Sequence, residues 1–445
     1  MFICRALANA SGLIADHKKY KEGMKINILI LIFILSFCTC NAQSVNKRIS
    51  DIEFIKSELP KLHCNLFYKT KEEVFINELD TLESYAGSLT DLEFALRLQK
   101  ILTKLGDAHT NIDFFKFINQ QNIYPIELYW FKDGFYVIAA LKNYKNILGH
   151  KLYSINRIPV NEIMRKFESI IVKDNDAMMK HRLPELIVIK DILDFLKITN
   201  NKENTFVFIK AGKFTKVKLS TAPEFPDSSN YEKLLPREIP ISLKNKQKLF
   251  RLEYLKEKNI IYAQYNRCWS RELEALHGSF AKAKILPSFE EFSDSLISQI
   301  YSKQPSKLIF DLRFNPGGSS LQGTHLVEKI SKINEINKKG KLFVIIGRTT
   351  FSSAVINAID FRQKTNAILI GEETSGTPNH FGEIKTLTLP NSNIQLQYST
   401  KYFRLIESDN NTVQPDIMVS ISINDFLAGK DPALDYIFNF SNGYD

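Results

Sequence analysis

Hydrophobic and polar residues follow three different patterns along the chain, and each pattern predicts a different part of the fold. Between residues 45 and 118, apolar residues recur at the i, i+3, i+4 and i+7 spacing of amphipathic helices. The clearest examples are the segments RISDIEFIKSELPKLH and LTDLEFALRLQKILTKLG. The pattern predicts a helical N-terminal domain over residues 45–118.

From residue 120 the pattern changes to short strands separated by turn residues, as in IELYWF, GFYVIAAL and KLYSIN. The segment LGHKLYSINRIPVNEIMRKF predicts a strand, a turn, a short strand and a helix. A helix in LPELIVIKDILDFLKI and strands in TFVFIKAG and FTKVKLS complete a small module over residues 120–222. The two prolines of TAPEFPDSSN predict a linker after it.

From residue 245 to residue 440, apolar strands alternate with amphipathic helices. The strands are NIIYAQYN, KLIFDLR, KLFVIIG and AILIGEE, and the helices lie near 288–302, 321–333 and 353–363. Such alternation is typical of βαβ units whose parallel strands are buried on both faces. The chain is therefore predicted to be an α/β protein.

The N-terminal region carries a candidate export signal. The apolar run INILILIFILSFCTC follows Met24-Lys25 and ends in small residues at Cys40-Asn41-Ala42. We interpret Met24 as the start, residues 1–23 as an upstream extension and residues 1–42 as removed on export to the periplasm or the extracellular space. The run is shorter than the roughly 20 residues of a spanning helix. The alternatives are an uncleaved membrane anchor and a lipid on Cys38, since Leu35-Ser36-Phe37-Cys38 loosely resembles a lipobox.

Composition narrows the functional classes. Lys and Arg number 59 against 49 Asp and Glu, but the excess is spread out and no basic block alternates with aromatic residues, which argues against nucleic-acid binding. No metal-ligand spacing is visible, so no metal and no organic cofactor is expected. Two cysteines, Cys64 and Cys268, remain after the leader, and the sequence leaves open whether they form a disulfide or two separate thiols.

Two strand-to-helix junctions carry candidate chemistry. In KLIFDLRFNPGGSS, at 307–320, a strand ends in a Pro-Gly-Gly turn that can expose the N–H groups of Gly317 and Gly318 to a developing oxyanion. In KLFVIIGRTTFSSAVINAIDF, at 341–361, a strand is followed by Ser352 and Ser353 at the start of a helix. Taken alone, the first junction is also an ordinary turn, and either serine is also a common helix N-cap.

Together the junctions resemble a known family. A strand ending in D-L-R-x-N-x-G-G, then T-x-S-S-A, then G-E-x-T-x-G is similar to the C-terminal-processing (tail-specific) peptidases and the tricorn core protease. The resemblance covers about 250–420 well and the preceding regions weakly. It implies a crotonase-like (ClpP-like) spiral ββα catalytic domain and a degenerate PDZ-like module. It also implies that Ser352 is the nucleophile, with an oxyanion hole formed by the N–H groups of Ser353 and of Gly318 or Gly317.

The general base departs from the commoner pattern. Thr377 stands where those enzymes have a lysine, and threonine does not accept a proton near neutral pH. Leu105-Gly106-Asp107-Ala108-His109-Thr110 resembles the histidine motif of tricorn-type relatives, so His109 is the expected base and His380 the reserve. Ala108 stands where those relatives have a second serine. The candidates for the acid that orients the base are Asp107, Glu407 and Asp409.

The expected function is that of an exported serine endopeptidase, acting on peptides or proteins through an acyl-enzyme on Ser352. Cys268 is an alternative nucleophile, although the sequence places no histidine beside it. The alternative function is an inactive peptide-binding or hydrophobic-ligand-binding protein on the same scaffold, which the missing lysine would suit. The oligomeric state is left open.

Overall fold

The computed structural model describes residues 47–200, 203–222 and 230–441. The predicted leader, the start at Met24, the lipid on Cys38 and most of the predicted linker lie outside these residues. Within them, no helix combines the length and the apolar character needed to cross a membrane.

The N-terminal region is helical, as predicted. Its helices are α1 (residues 47–62), α2 (Glu72–Glu83) and α3 (Asp91–Leu102). A capping box of Thr90 and Glu93 begins α3, because each side chain binds the backbone N–H of the other residue. A 3-10 turn, Thr103–Leu105, continues α3 as far as Gly106, whose φ of 72° is left-handed. Gly106 therefore ends the helix and turns the chain into the segment that carries His109.

A seven-stranded antiparallel sheet follows. Its strands are β2 (Ile126–Phe131), β3 (Gly134–Leu141), β4 (Lys151–Ile155), β5 (Ile158–Pro159), β6 (Asn204–Lys210), β7 (Lys213–Leu219) and β8 (Tyr231–Lys233). The order is β2-β3-β4-β6-β7, with β5 paired to β4 and β8 to β3. Its helices are α4 (Val160–Phe167), α5 (Asp176–Leu186) and α6 (Lys190–Phe195).

One helix prediction in this region is wrong in extent. LPELIVIKDILDFLKI is not one helix, since α5 ends at Leu186 and α6 begins at Lys190. A turn at residues 187–188 and an extended Ile189 separate them: Tyr124 N–H donates to Val188 O (2.8 Å), and Ile189 forms a bridge with Ile123. Pairing with a distant segment thus overrides the local helical pattern.

The C-terminal region is built on a six-stranded sheet. Its strands are β9 (Phe250–Leu255), β10 (Ile260–Tyr265), β11 (Lys307–Asp311), β12 (Leu342–Ile346), β13 (Ile368–Gly371) and β16 (Ile417–Met418). The order is β16-β13-β12-β11-β10-β9, parallel throughout except for the antiparallel edge strand β9. The parallel arrangement and the mixed α/β class are as predicted.

The helices of this region are α7 (Arg271–His277), α8 (Phe280–Ala283), α9 (Phe289–Lys303), α10 (Leu321–Ser331), α11 (Ser353–Lys364), α12 (Ile423–Leu427) and α13 (Pro432–Asn439). Helices α9, α10 and α11 correspond to the three predicted helices. One face of the sheet packs against them, and the other packs against α13.

A hairpin that the sequence did not predict extends from the C-terminal region and packs against the N-terminal region. Its strands are β14 (His380–Thr388) and β15 (Gln395–Phe403), and β15 also pairs with β1 (Asn111–Ile112). Apolar side chains of the hairpin, such as Leu396, belong to the same core cluster as Phe94 of α3 and Phe206 of β6. The hairpin therefore brings the segment after α3 against the C-terminal region, which places His109 near the ends of β11 and β12.

Candidate active site

The glycine turn, residues 315–318, follows β11 and is organised by Asn315. This buried side chain donates to Tyr265 O (2.9 Å) and accepts from the N–H of Gly317 (2.9 Å). Gly317 and Gly318 have φ of 102° and 139°, values that L side chains rarely adopt. A Cβ on Gly318 would lie 2.2 Å from Cys268 O. The turn therefore needs glycine for both its conformation and its close packing.

The serine loop, residues 347–352, follows β12 and lies directly on the glycine turn. Three hydrogen bonds hold the loop and the next residue there: Thr350 Oγ1 to Leu312 O (2.9 Å), Phe351 N to Asn315 O (3.1 Å) and Ser353 Oγ to Gly318 O (2.8 Å). The two junctions that the sequence singled out are thus brought together in the fold.

Ser352 has a strained backbone. Its φ of 53° and ψ of −125° lie where non-glycine residues are rarely found, and it immediately precedes α11. It is partly exposed, whereas Ser353 is buried. A serine on a sharp strand-to-helix turn presents its hydroxyl at the edge of a sheet, as a nucleophile requires.

Two backbone N–H groups beside Ser352 have no acceptor among the described residues, those of Gly318 and Ser353. The Gly317 N–H is instead taken by Asn315. The two segments are in contact, because a Cβ on Gly317 would lie 2.9 Å from Ser352 Cβ and 3.1 Å from Ser353 N. Of the two glycines considered, Gly318 is therefore the one with a free donor.

His109 lies in the histidine loop, residues 106–110, buried against the serine loop. Its ring stacks on Phe351, with centroids 4.5 Å apart and an interplanar angle of 21°. Neither ring nitrogen has a hydrogen-bond partner in the described part of the chain, so no hydrogen bond joins His109 to Ser352 in this conformation. Burial lowers the pKa of His109 to about 4, so the ring is neutral near pH 7.

His380 stacks beyond His109, with ring centroids 6.0 Å apart, and is itself stacked on Phe403 at 5.4 Å. Its Nδ1 donates to Thr377 O (3.0 Å), which leaves Nε2 without the hydrogen when the ring is neutral. Burial lowers the pKa of His380 as well. The expected base, His109, and the reserve base, His380, thus lie in one stack of four rings, between Phe351 and Phe403.

Asp107 is the candidate acid that the structure places beside His109. One carboxylate oxygen accepts from the His109 backbone N–H (2.8 Å) and lies 3.8 Å from His109 Nδ1. The other accepts from Thr110 Oγ1 (2.5 Å) and His63 Nε2 (3.0 Å). Burial opposes the carboxylate charge, but the hydrogen bond from His63, the nearby His109 and the bond from Thr110 outweigh burial and lower the pKa of Asp107 to about 2.

His63 was not singled out from the sequence. Its Nδ1 accepts from the Asn65 N–H (3.0 Å), so in a neutral ring the hydrogen is on Nε2 and is donated to Asp107. A lone histidine at the end of a helix carries no sequence signal for this role.

Asp174, at the end of the α4–α5 connection, was also missed. Its Oδ1 accepts from the Ala108 N–H (3.1 Å), next to His109 in the chain. Its Oδ2 is buried and has no hydrogen-bond partner among the described residues. Burial, reinforced by the charge of Asp107, raises the pKa of Asp174 to about 7.

The two other candidate acids form no hydrogen bond or ion pair with His109 or His380. Glu407 and Asp409 are exposed, and neither forms a hydrogen bond or ion pair with the described part of the chain. Thr377, at the position of the missing lysine, donates its hydroxyl to Asn379 O (2.7 Å) and so stabilises a turn. Asp107 is therefore the acid with the geometry to act on His109.

The two cysteines are free thiols, Cys64 exposed and Cys268 buried. They do not form a disulfide. Burial raises the pKa of the Cys268 thiol to about 12, and its sulfur lies 3.5 Å from Asn315 Oδ1. Cys268 is a packing residue behind the glycine turn, since a nucleophilic cysteine needs a thiolate.

A partly open cavity of about 210 Å³ lies between β2–β3 and the six-stranded sheet. Neither Ser352 nor His109 lines it, and its walls include Tyr129, Phe314 and Arg348. Among the described residues, no group of three His, Cys, Asp or Glu side chains is arranged to hold a metal ion.

Comparison with known proteins bears on this arrangement. Residues 322–419 match the model of Peptidase family S41. Mature CPAF complexed with lactacystin has a similar structure, with a TM-score of 0.58 and 13% identity over 89% of this chain and 97% of that chain. No match is found among curated proteins.

Two further solved structures are more distant. The photosystem II D1 C-terminal processing protease gives a TM-score of 0.39, with 10% identity over 87% of this chain and 98% of that chain. The tricorn protease gives 0.40, with 15% identity over 89% of this chain and 36% of that chain.

Residues 322–419 thus resemble a serine peptidase family, and the fold as a whole resembles that of CPAF. The match of residues 322–419 to Peptidase family S41 agrees with the resemblance to C-terminal-processing peptidases drawn from the sequence.

Proposed function

We propose that the chain is an endopeptidase that forms an acyl-enzyme on Ser352. The observation that carries the proposal is the strained Ser352 backbone beside two N–H groups without acceptors, those of Gly318 and Ser353. Paired backbone donors next to a nucleophile are suited to the oxyanion of a tetrahedral intermediate. The Ser352 hydroxyl attacks the peptide carbonyl, and the carbonyl oxygen moves between these two donors.

His109 is the proposed general base. Its ring is neutral near pH 7, lies against the residue preceding Ser352, and has no other hydrogen-bond partner among the described residues. The base takes the Ser352 proton and returns it to the leaving amine, after which water hydrolyses the acyl-enzyme. Because no hydrogen bond joins His109 to Ser352 in this conformation, the proposed step requires a shift of His109 toward Ser352. Hydrogen bonds between catalytic groups are often long or absent until substrate binds.

Asp107 is the proposed orienting acid. Because its carboxylate is fixed by His63 and Thr110, it holds a negative charge 3.8 Å from His109 Nδ1. That charge stabilises the imidazolium that forms when His109 accepts the proton. No observation supports the alternative of an inactive ligand-binding protein.

We also propose the finer features that the sequence patterns and the family resemblance predict. These are export to the periplasm or extracellular space, a helical domain over 45–118, a PDZ-like module over 120–222 and a crotonase-like catalytic domain over 245–440. The antiparallel module and the parallel six-stranded sheet are compatible with these assignments.

The direct test is labelling with a fluorophosphonate probe, which reacts only with an activated serine. We expect wild type to be labelled on the peptide that contains Ser352, and Ser352→Ala to remain unlabelled. His109→Gln should lose at least a hundredfold in rate, whereas His380→Gln should lose far less. Absence of labelling in folded wild-type protein would refute the peptidase mechanism. Equal rates for wild type and His109→Gln would transfer the role of base to another group.

A further inference from the structure

Two adjacent residues at the start of α5, Asp174 and Asn175, are hydrogen-bonded to segments next to both members of the proposed catalytic pair. They belong to the antiparallel module. His109 follows the helical region, and Ser352 lies in the C-terminal region, within the residues that match Peptidase family S41. Neither residue is needed for the chemistry proposed above.

Asp174 holds the histidine side. Its Oδ1 accepts from the Ala108 N–H (3.1 Å), and Asp107 accepts from the next N–H in the chain, that of His109. Two aspartate side chains thus hold consecutive N–H groups of the histidine loop. The bond to Asp107 is charge-assisted, whereas Asp174, with a pKa of about 7, can accept the Ala108 N–H in either protonation state.

Asn175 holds the serine side. Its Nδ2 donates to Thr374 O (2.9 Å) and to Asn411 O (2.8 Å), while its Oδ1 accepts from the Met178 N–H at the start of α5 (3.2 Å). All three bonds are satisfied at once, so the side chain has a single position.

The Thr374 loop, residues 372–377, transmits this contact to the nucleophile. Ser375 N–H donates to Thr350 O (3.0 Å) in the serine loop. A Cβ on Gly376 would lie 3.2 Å from the Phe351 ring and 3.5 Å from Ser352 N. Asn175 therefore acts on Ser352 through the Thr374 loop, and Asp174 acts on His109 through Ala108.

We propose that Asp174 and Asn175 form a clamp that sets the separation of His109 and Ser352. The inference rests on the proposed function. Both are positioning residues, since each acts through a backbone group of a neighbouring loop. A misplacement of about 1 Å between catalytic groups can cost about a hundredfold in rate, so a clamp of this kind has a measurable effect.

The test compares variants by the saturation kinetics of fluorophosphonate labelling, which separate the maximal rate of reaction from the affinity for the probe. Asn175→Ser retains a good N-cap for α5 but cannot reach the two carbonyl groups. Asp174→Ala removes the acceptor for Ala108, and Asp174→Asn keeps it. We expect the first two variants to lower the maximal rate at least tenfold with affinity changed less than threefold, and Asp174→Asn to restore most of the rate.

A matched control separates positioning from general stability. Ser288→Ala removes the N-cap of α9, where Ser288 Oγ accepts from the Glu291 N–H (3.1 Å), and should leave the maximal rate unchanged. Melting temperatures are measured for every variant. Folded Asn175→Ser and Asp174→Ala proteins with the wild-type maximal rate would overturn the clamp. Failure of the proposed function is distinguishable, because wild type itself would then not be labelled.

Discussion

At the scale of single residues, the proposed site depends on burial. His109 and His380 are buried between two phenylalanine rings, so their pKa values fall and both rings are neutral near pH 7. Asp107 is equally buried but keeps its charge, because His63 and Thr110 donate hydrogen bonds to it. Burial thus keeps the base neutral, while hydrogen bonds keep its neighbour charged, as a serine peptidase requires.

The pH dependence of labelling should reflect the lowered pKa of His109. The ring is competent only when neutral, and its pKa is about 4 rather than the ordinary 6.5. We therefore expect the maximal labelling rate to persist as pH falls through 6.5 and to decline near pH 4, measured with circular dichroism as a check on folding. A decline centred on 6.5 would mean that an ordinary, exposed histidine is the base.

The role of Asp107 is tested with a pair of variants. Asp107→Asn removes the charge beside His109 and should lower the labelling rate about tenfold or more, whereas Glu407→Gln, at an exposed acid, should stay within twofold of wild type. The pKa of Asp107 is lowered in the fold, so the stability that it provides is present above its ordinary pKa of 3.8 and lost as pH falls toward 2. The Asp107→Asn substitution should therefore lower the free energy of unfolding by about 2 kcal/mol at pH 7. The opposite ranking of the two variants would assign the acid to Glu407.

The site residues that the sequence could predict are those that stand in a recognisable motif. Ser352 and the two glycines stand in ordered motifs with fixed spacing, and His109 stands in a motif of its own. His63, Asp174 and Asn175 are isolated polar residues whose partners lie tens to hundreds of positions away. Their roles come from tertiary packing, which leaves no local pattern.

At the scale of secondary structure, elements with a clear period were predicted well and elements set by distant pairing were not. Strands β2 and β3 coincide with their predicted segments, because alternating burial produces a period of two. The hairpin β14–β15 was missed, although it links β1 to the C-terminal region. Much of β14 is exposed, so it carries little hydrophobic alternation.

The glycine turn gives the prediction at this scale. Gly318→Ala places a Cβ 2.2 Å from Cys268 O at a φ of 139°, so we expect a loss of about 3 kcal/mol or more in the free energy of unfolding. The matched control is Gly212→Ala, in the β6–β7 turn, where φ is 77° but nothing lies within 4 Å of the new Cβ. Strain alone should cost about 1 kcal/mol there. Denaturant titration measures both, and equal losses would show that packing against Cys268 is unimportant.

At the scale of the whole molecule, the site is assembled from all three regions of the chain. The core cluster that contains Phe94 and Phe206 also contains Leu389, Ile394 and Leu396 of the hairpin and its turn. Asp51 of α1 accepts from the N–H groups of Asn391 and Ser392, at 2.9 and 2.8 Å. The regions before residue 222 and after residue 230 therefore share a hydrophobic core.

A shared core predicts that the two parts stay together after the connection between them is cut. A protease site inserted between residues 222 and 230 of the full chain should allow cleavage into two fragments that co-elute on size-exclusion chromatography. His109 lies in one fragment and Ser352 in the other. Because the shared core keeps the fragments together, the cut protein should still be labelled, at a rate within a few fold of the intact chain. Asp51→Ala should weaken the association by removing the acceptor for the hairpin turn. Fragments that separate and yet leave the C-terminal one fully reactive would show that neither His109 nor the shared core is needed for the chemistry of Ser352.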